Sequence, residues 1–450
     1  MVIKNIYTVS LVAAFTLLSA ACTATKPQDM GSTQTNVNTP KNIIMVIADG
    51  MGPAYTTAYR LYKDNPNTSM VELTALDPFL VGMAQTYPAR VSGYVTDSAA
   101  SATALAAGVK TYNGAIGLDV AKQPLESVLH RAKKLGKRTG VAVTSQIVHA
   151  TPAAYVTHNE SRNNYNEIAD SFLDDRINGE NVIDVMLGGG WNYFIRDDRN
   201  LVDEFTSLGY QYADSYTALL ALPEGKPTLG LFADKGLSKA LDDTNPHRLS
   251  VLTKSAISHL ENPNGYFLLV EASQVDWAGH ANDISSAMGE MEDLEQTMKL
   301  LKNYVDTHPD TLVVLTADHS TGGLTIGAGG DYRWSPEFIQ NMKASVTVMS
   351  EQITGEEDMA EYVERMFGFA LNDDEKNRIS GISSNIEPRA REAVLKSILD
   401  ERTNTGWTTS GHTGIDVEVY AFGAGAQEFA GNLNNTDIAK KIFELLGDVK

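Results

Sequence analysis

At 450 residues, 43% hydrophobic and 20% charged, the chain can bury a large core, as one big domain with insertions or as two or three smaller ones. A formal charge of −20 excludes nucleic acid as a stable partner class. It does not exclude anionic small molecules, because bound divalent cations reverse the field locally. A single cysteine rules out an internal disulfide framework.

Residues 1–21 read as an export signal: Lys4 supplies a short basic region, 9–18 are apolar, and Ser19-Ala20-Ala21 are small residues at a cleavage site. The apolar stretch is too short for an ordinary membrane span. Leu18-Ser19-Ala20-Ala21-Cys22 resembles a bacterial lipoprotein signal, in which the cysteine is lipidated. Two outcomes stay open: a lipid anchor at Cys22 in the outer membrane, or ordinary cleavage leaving a periplasmic or secreted protein. Residues 22–40, rich in Thr, Asn, Gln and Pro, read as a flexible tether. The folded part is expected to span 41–450.

From Lys41 strands alternate with helices. The run Ile43-Ile44-Met45-Val46-Ile47-Ala48 ends on Asp49. A small-residue helix is expected over 96–108, opening at Asp97-Ser98, then an amphipathic helix over 124–135 and a strand over 139–144. A strand over 182–187 and a helix over 248–260 lead to the run Tyr266-Phe267-Leu268-Leu269-Val270, which ends on Glu271 with Asp276 and His280 beyond. A helix over 287–304 precedes Leu312-Val313-Val314-Leu315-Thr316-Ala317, which ends on Asp318-His319. A strand over 417–422 and a helix over 437–446 close the chain. This alternation predicts an α/β fold: a doubly wound, mostly parallel central sheet with helices on both faces. Residues 331–407 break the rhythm with acidic helical stretches, and read as an inserted helical lid or oligomer contact.

The three apolar runs are the informative pattern. Continuous short apolar runs are strands buried on both faces, and in open α/β sheets ligands bind beyond the carboxyl ends of strands. If the three strands are neighbours, their carboxylates and imidazoles converge at one edge. So many buried carboxylates stay ionised only beside cations, and a cluster of divalent metals is the natural compensation. Mixed carboxylate and imidazole ligands suit zinc. Ser98 at a helix start would place its oxygen where a dianion is favoured, although N-capping is the commoner use of Asp97-Ser98. Arg162 is the type of side chain that grips phosphate in a bidentate manner, although a lone arginine is more often a surface charge. His412 sits in Gly411-His412-Thr413-Gly414, which fits a close-approach site or a plain turn.

Together these segments resemble the alkaline phosphatase family, in the family's order and over nearly all of the mature chain. The matching motifs are Asp49-Gly50-Met51-Gly52, Asp97 to Ala104, His149-Ala150-Thr151-Pro152 with Arg162, Glu271-Ala272-Ser273 through Asp276 and His280, Thr316-Ala317-Asp318-His319, and Gly411-His412-Thr413. The resemblance implies a broad-specificity phosphate monoester hydrolase. It implies one zinc held by Asp276, His280 and His412, and a second held by Asp49, Asp318 and His319. A third metal, magnesium, would be held by Asp49, Thr151 and Glu271, with His149 beside it. Ser98 would be the nucleophile that forms a phosphoserine, and Arg162 the phosphate clamp. Trp277 would border the substrate, in a branch that has histidine and tryptophan where other members have aspartate and lysine. It also implies a homodimer. His130, His158, His247, His259 and His308 match no motif position. Competing readings are a related phosphodiesterase or sulfatase, and a non-catalytic metal- or phosphate-binding lipoprotein. A sulfatase would need a Ser-x-Pro-x-Arg near Ser98 or a cysteine outside the signal, and the chain has neither.

Overall fold

The computed structural model describes residues 39–449 apart from 356, 357 and 384, so the export signal, Cys22 and nearly all of the tether lie outside the described residues. The described residues form one compact unit. Its centre is a ten-stranded sheet. In chain order the strands are β1 Asn42–Ile47, β2 Leu80–Gln85, β3 Arg138–Gln146, β4 Val185–Gly189, β5 Gln211–Ala213, β6 Thr228–Leu231, β7 Tyr266–Glu271, β8 Thr311–Thr316, β9 Val417–Gly423 and β10 Gly431–Asn434. Across the sheet they lie in the order β10-β2-β9-β8-β1-β7-β3-β4-β6-β5. Only β9 runs against its neighbours.

The three apolar runs are the adjacent strands β7, β1 and β8, and every residue in them is buried. They are parallel and in step: Ile47 lies opposite both Thr316 and Glu271. Asp49 and Asp318, each two residues past its paired strand end, therefore leave the sheet at one level. Parallel pairing makes the convergence unavoidable, because all three carboxyl ends point the same way.

The helix expected over 248–260 spans Arg248–Leu260, and that over 287–304 extends to Ile284–Thr307. The helix expected over 124–135 starts late, at Val128, because Ser127 caps it by accepting from the His130 amide. The described residues of 331–407 hold four α-helices, among them Met359–Phe367 and Pro388–Thr403, and a strand Thr405–Trp407 that pairs with Leu324–Ile326. Its helices are tied to the main body: Lys396 Nζ donates to the Ala281 carbonyl at 2.5 Å, at the last residue of the helix that carries Asp276 and His280. Among the described residues no helix is long and apolar enough to cross a membrane.

Beneath the sheet a buried ion cluster joins two helices. Arg248, fully buried, donates to Glu290 at 2.7 Å and to Asp293 at 2.9 Å. Burial pushes Asp293 up to about 7 even against this guanidinium. Arg248→Met strands both carboxylates without a cation, and is expected to cost about 3–5 kcal/mol in urea unfolding. A loss under about 1 kcal/mol, the scale of an exposed ion pair, would show the cluster to be dispensable.

Candidate metal centre and active site

Above the carboxyl ends of β7, β1 and β8 the chain assembles every candidate ligand named from the sequence. Asp49 follows β1 in a turn that only glycines permit. Gly50 has φ +76°, and a Cβ there would lie 2.6 Å from Asp276 Cα, while one on Gly52 would lie 2.2 Å from Ser320 Oγ. The Gly50 amide donates to Asp318 Oδ1 at 3.1 Å, locking the two turns together. Asp276 and His280 lie one turn apart on the helix Gln274–Ala281. His412 comes from a two-residue strand, His412–Thr413, paired with Ser320–Thr321 just after His319.

The three histidines are set the same way. His280 Nδ1 donates to the Ser410 carbonyl at 2.6 Å, and His412 Nδ1 to the Thr96 carbonyl at 2.8 Å. Thr321 gives its one proton to Asp276 at 2.5 Å, so it accepts from His319 Nδ1 at 3.2 Å. In each neutral ring this leaves the Nε2 lone pair facing inward. His280 Nε2 and His412 Nε2 are 3.2 Å apart, and lie 3.4 Å and 3.7 Å from Asp276 oxygens. Two lone pairs facing each other beside a carboxylate repel unless a cation lies between them. His280 thus meets His412 beside Asp276, and the ligand atoms of Asp276, His412 and His319 lie close enough together to hold one cation.

Asp49, Asp318 and His319, all fully buried, form a second ligand set. His319 Nε2 is 3.1 Å from Asp318 and 3.4 Å from Asp49. Asp49 and Glu271 meet beside His149 in a third group. Thr151 is fully buried, and its hydroxyl has no hydrogen-bond partner. Both oxygens of Asp49, Asp318 Oδ2 and Glu271 Oε1 are buried without a hydrogen-bond partner. Buried polar atoms are almost always paired, so four unpartnered carboxylate oxygens in one pocket fit divalent cations. The electrostatics agree. Burial, then the neighbouring Asp318, drives the Asp49 pKa well up, and burial lifts Glu271 to about 8. Burial alone would raise Asp318 too, but the His319 imidazole holds it low, and Asp318 in turn holds His319 above its ordinary value.

Ser98 is buried at the first position of the helix Ser98–Ala107, with Oγ 3.1 Å from His319 Nε2. Asp97 does cap this helix, accepting from the Ala100 amide at 2.9 Å, and it also accepts from Arg162 Nη1 at 3.2 Å. Capping and function therefore share one residue. Burial opposes the Arg162 charge, but Asp97 holds the guanidinium pKa above its ordinary value. Arg162 Nη2 donates to His149 Nε2 at 3.1 Å, and burial, reinforced by Arg162, pushes His149 down to about 3. A neutral imidazole has one lone pair. His149 can accept from Arg162 or ligate a cation, not both at once. Trp277, half-buried, meets the His149 ring edge-on at a centroid distance of 6.0 Å.

Sequence reasoning missed Asp97 as a partner of Arg162, Thr321 as the link between His319 and Asp276, and the Thr96 and Ser410 carbonyls that orient two histidines. Backbone acceptors carry no residue-type signal. Two histidines outside the motifs have structural partners: His130 Nε2 donates to the Val156 carbonyl at 2.9 Å and His158 Nε2 to the Leu125 carbonyl at 2.8 Å.

Metal-free protein has a testable pH response. The Glu271 pKa is raised on folding, so its contribution to stability is complete below the unfolded value and is lost as pH rises through about 8. After chelation the melting temperature should fall between pH 6 and pH 9, and added divalent cation should restore it most at the higher pH. An identical melting temperature at both pH values would contradict the assignment of these carboxylates.

Comparison with known proteins agrees with this geometry. A family model described as alkaline phosphatase matches residues 40–447. The chain is 46% identical over 412 residues to alkaline phosphatase 3 of Bacillus subtilis, covering 90% of this chain and 89% of that one. It is 32% identical over 375 residues to the alkaline phosphatase of Escherichia coli, covering 72% and 79%. Among solved structures it superposes on a cold-active alkaline phosphatase from a psychrophilic Shewanella with a TM-score of 0.85 and 47% identity, covering 90% of this chain and all of the other. For the Thermus thermophilus alkaline phosphatase the TM-score is 0.77 at 25% identity, covering 95% and 96%. The chain belongs to the alkaline phosphatase family, metal-dependent hydrolases of phosphate monoesters.

Proposed function

We propose that the protein hydrolyses phosphate monoesters of broad leaving-group range through a phosphoserine on Ser98, with two zinc ions and one magnesium ion. The observation that carries this reading is the meeting of unpartnered carboxylate oxygens and inward Nε2 lone pairs beside the Ser98 hydroxyl. Asp276, His280 and His412 would hold one zinc, and Asp49, Asp318 and His319 the other. One carboxylate and two imidazoles, or two carboxylates and one imidazole, suit zinc with a position left open. Asp49, Glu271 and Thr151 supply only oxygen, which suits magnesium. The cations would supply positive charge that eases deprotonation of the attacking hydroxyl and stabilises the departing oxygen.

The chain's own groups do the rest. Ser98 Oγ gives up its proton to solvent and attacks phosphorus, and the ester oxygen leaves in line, taking a proton from water to depart as the alcohol. The N-terminus of the Ser98–Ala107 helix favours the dianion. Arg162, held from one side by Asp97, binds two non-bridging oxygens and stabilises charge on the transferring group. Water then attacks the phosphoserine, releasing phosphate and restoring the serine. Because these contacts address the phosphoryl group, the leaving group is weakly selected. Export with or without a lipid on Cys22, and pairing into a homodimer, belong to the same proposal and rest on the sequence resemblance.

Ser98→Ala should keep its bound metal yet lose turnover and form no acid-stable phosphoenzyme from labelled monoester. Turnover at the wild-type rate would remove Ser98 from the mechanism. Arg162→Ala should keep metal and lose about 10²–10³-fold in kcat/KM, the scale of one removed charge-stabilising donor. Hydrolysis of an aryl monoester should also exceed that of the matching diester by orders of magnitude, and equal rates would favour the diesterase.

A further inference from the structure

The loop after β6 bears on the phosphate clamp through a glycine that no motif includes. Residues 232–238 return from the sheet to the helix Gln274–Ala281. The loop is fixed there: the Leu237 amide donates to the Thr144 carbonyl at 2.9 Å, and Gln274 Nε2 donates to the Leu237 carbonyl at 2.6 Å. One residue earlier, Gly236 lies against the indole of Trp277. A Cβ on Gly236 would stand 2.3 Å from both Cη2 and Cζ3 of that ring, well inside any van der Waals contact. No backbone atom comes that close, since the next neighbour is the Thr144 carbonyl oxygen at 3.4 Å. The space that Gly236 leaves is therefore filled by one group, the six-membered ring of Trp277.

The indole is then held between two surfaces, with Gly236 against its outer ring and His149 meeting it edge-on at 6.0 Å and 76°. His149 in turn accepts from Arg162 at 3.1 Å. We propose that Gly236 is a positioning residue for the phosphate clamp: it lets Trp277 lie where the indole braces the His149 ring, and the braced ring holds Arg162 in place. Asp97 anchors Nη1 of the guanidinium and His149 anchors Nη2, so its plane is fixed from both ends. Trp277 acts on phosphate through His149 rather than by touching the substrate's leaving group. The proposal rests on the reading of Arg162 as the clamp.

The test is a double-mutant cycle on the metal-loaded enzyme, with inhibition by inorganic phosphate as the main readout. Gly236→Ala pushes the indole aside without touching any proposed ligand. It should raise the phosphate inhibition constant and lower kcat/KM by roughly tenfold, within the 10²-fold that about 1 Å of misplacement can cost. Its melting temperature should stay close to wild type. Trp277→Phe, which removes the contacted ring edge, should weaken phosphate by a similar factor. Gly236→Ala should then add nothing in the Trp277→Phe background, since neighbouring residues that act through one contact are not additive. Tryptophan emission should shift in Gly236→Ala and not when Gly236→Ala is added to Trp277→Phe. Equal costs of Gly236→Ala in both backgrounds, or wild-type phosphate inhibition in Gly236→Ala, would overturn the proposal. Should Gly236→Ala not fold, Trp277→Phe alone decides: unchanged phosphate inhibition overturns it. Arg162→Ala is the control for the clamp. If that variant binds phosphate like wild type, the clamp reading fails first and the brace falls with it.

Discussion

Buried negative charge at the ends of three parallel strands is the constraint on which the rest depends. β7, β1 and β8 bury every side chain they carry and run in step, so Glu271, Asp49 and Asp318 must emerge together. Carboxylates so placed cost several kcal/mol each unless positive charge compensates them. Without cations burial pushes the pKa values of Asp49 and Glu271 up, and Asp318 holds His319 above its ordinary value. With cations the same groups become ligands. The fold thus builds a site whose own electrostatics demand what its chemistry uses.

Ligand direction is set by ordinary backbone. Two carbonyls and one threonine hydroxyl take the Nδ1 protons of His412, His280 and His319, turning each Nε2 inward. Such outer partners fix tautomer and ring orientation before a metal arrives, which limits the reorganisation that binding requires. His149 is the exception, because its lone pair goes to Arg162. A cation that recruited His149 would release one anchor of the guanidinium. On the proposed reading of Arg162 as the phosphate clamp, the residue at this position couples the third cation group to that clamp, and Trp277 against the ring weighs on the choice.

What the sequence made legible follows from how local the signals are. The three central strands are continuous apolar runs and need no context. The Arg248–Leu260 helix carries its own periodicity. The strands at one end of the sheet carry no such signal, because β10, on the edge, reads Gly-Asn-Leu-Asn and β2, beside it, contains Gly82, where a Cβ would lie 2.0 Å from the Gly431 carbonyl. Both are strands because they pair, not because of their composition. The helix begun at Val128 rather than 124 shows a cap overriding periodicity. In the site, residue types pointed to candidate ligands, the resemblance grouped them, and the structure brings their side chains to one sheet edge. Asp97 was read as a cap and is one, yet its second oxygen faces an arginine that is remote in sequence. Gly236 gave no signal, since its meaning lies in the indole packed against it.

The account is tested most directly by diffraction from crystals of the purified, metal-loaded protein, with data collected on either side of the zinc absorption edge. It predicts two anomalous peaks, one among Asp276, His280 and His412 and one among Asp49, Asp318 and His319, with the Ser98 oxygen beside the second. A map with no anomalous density between those side chains, in protein that hydrolyses phosphate monoesters, would contradict it.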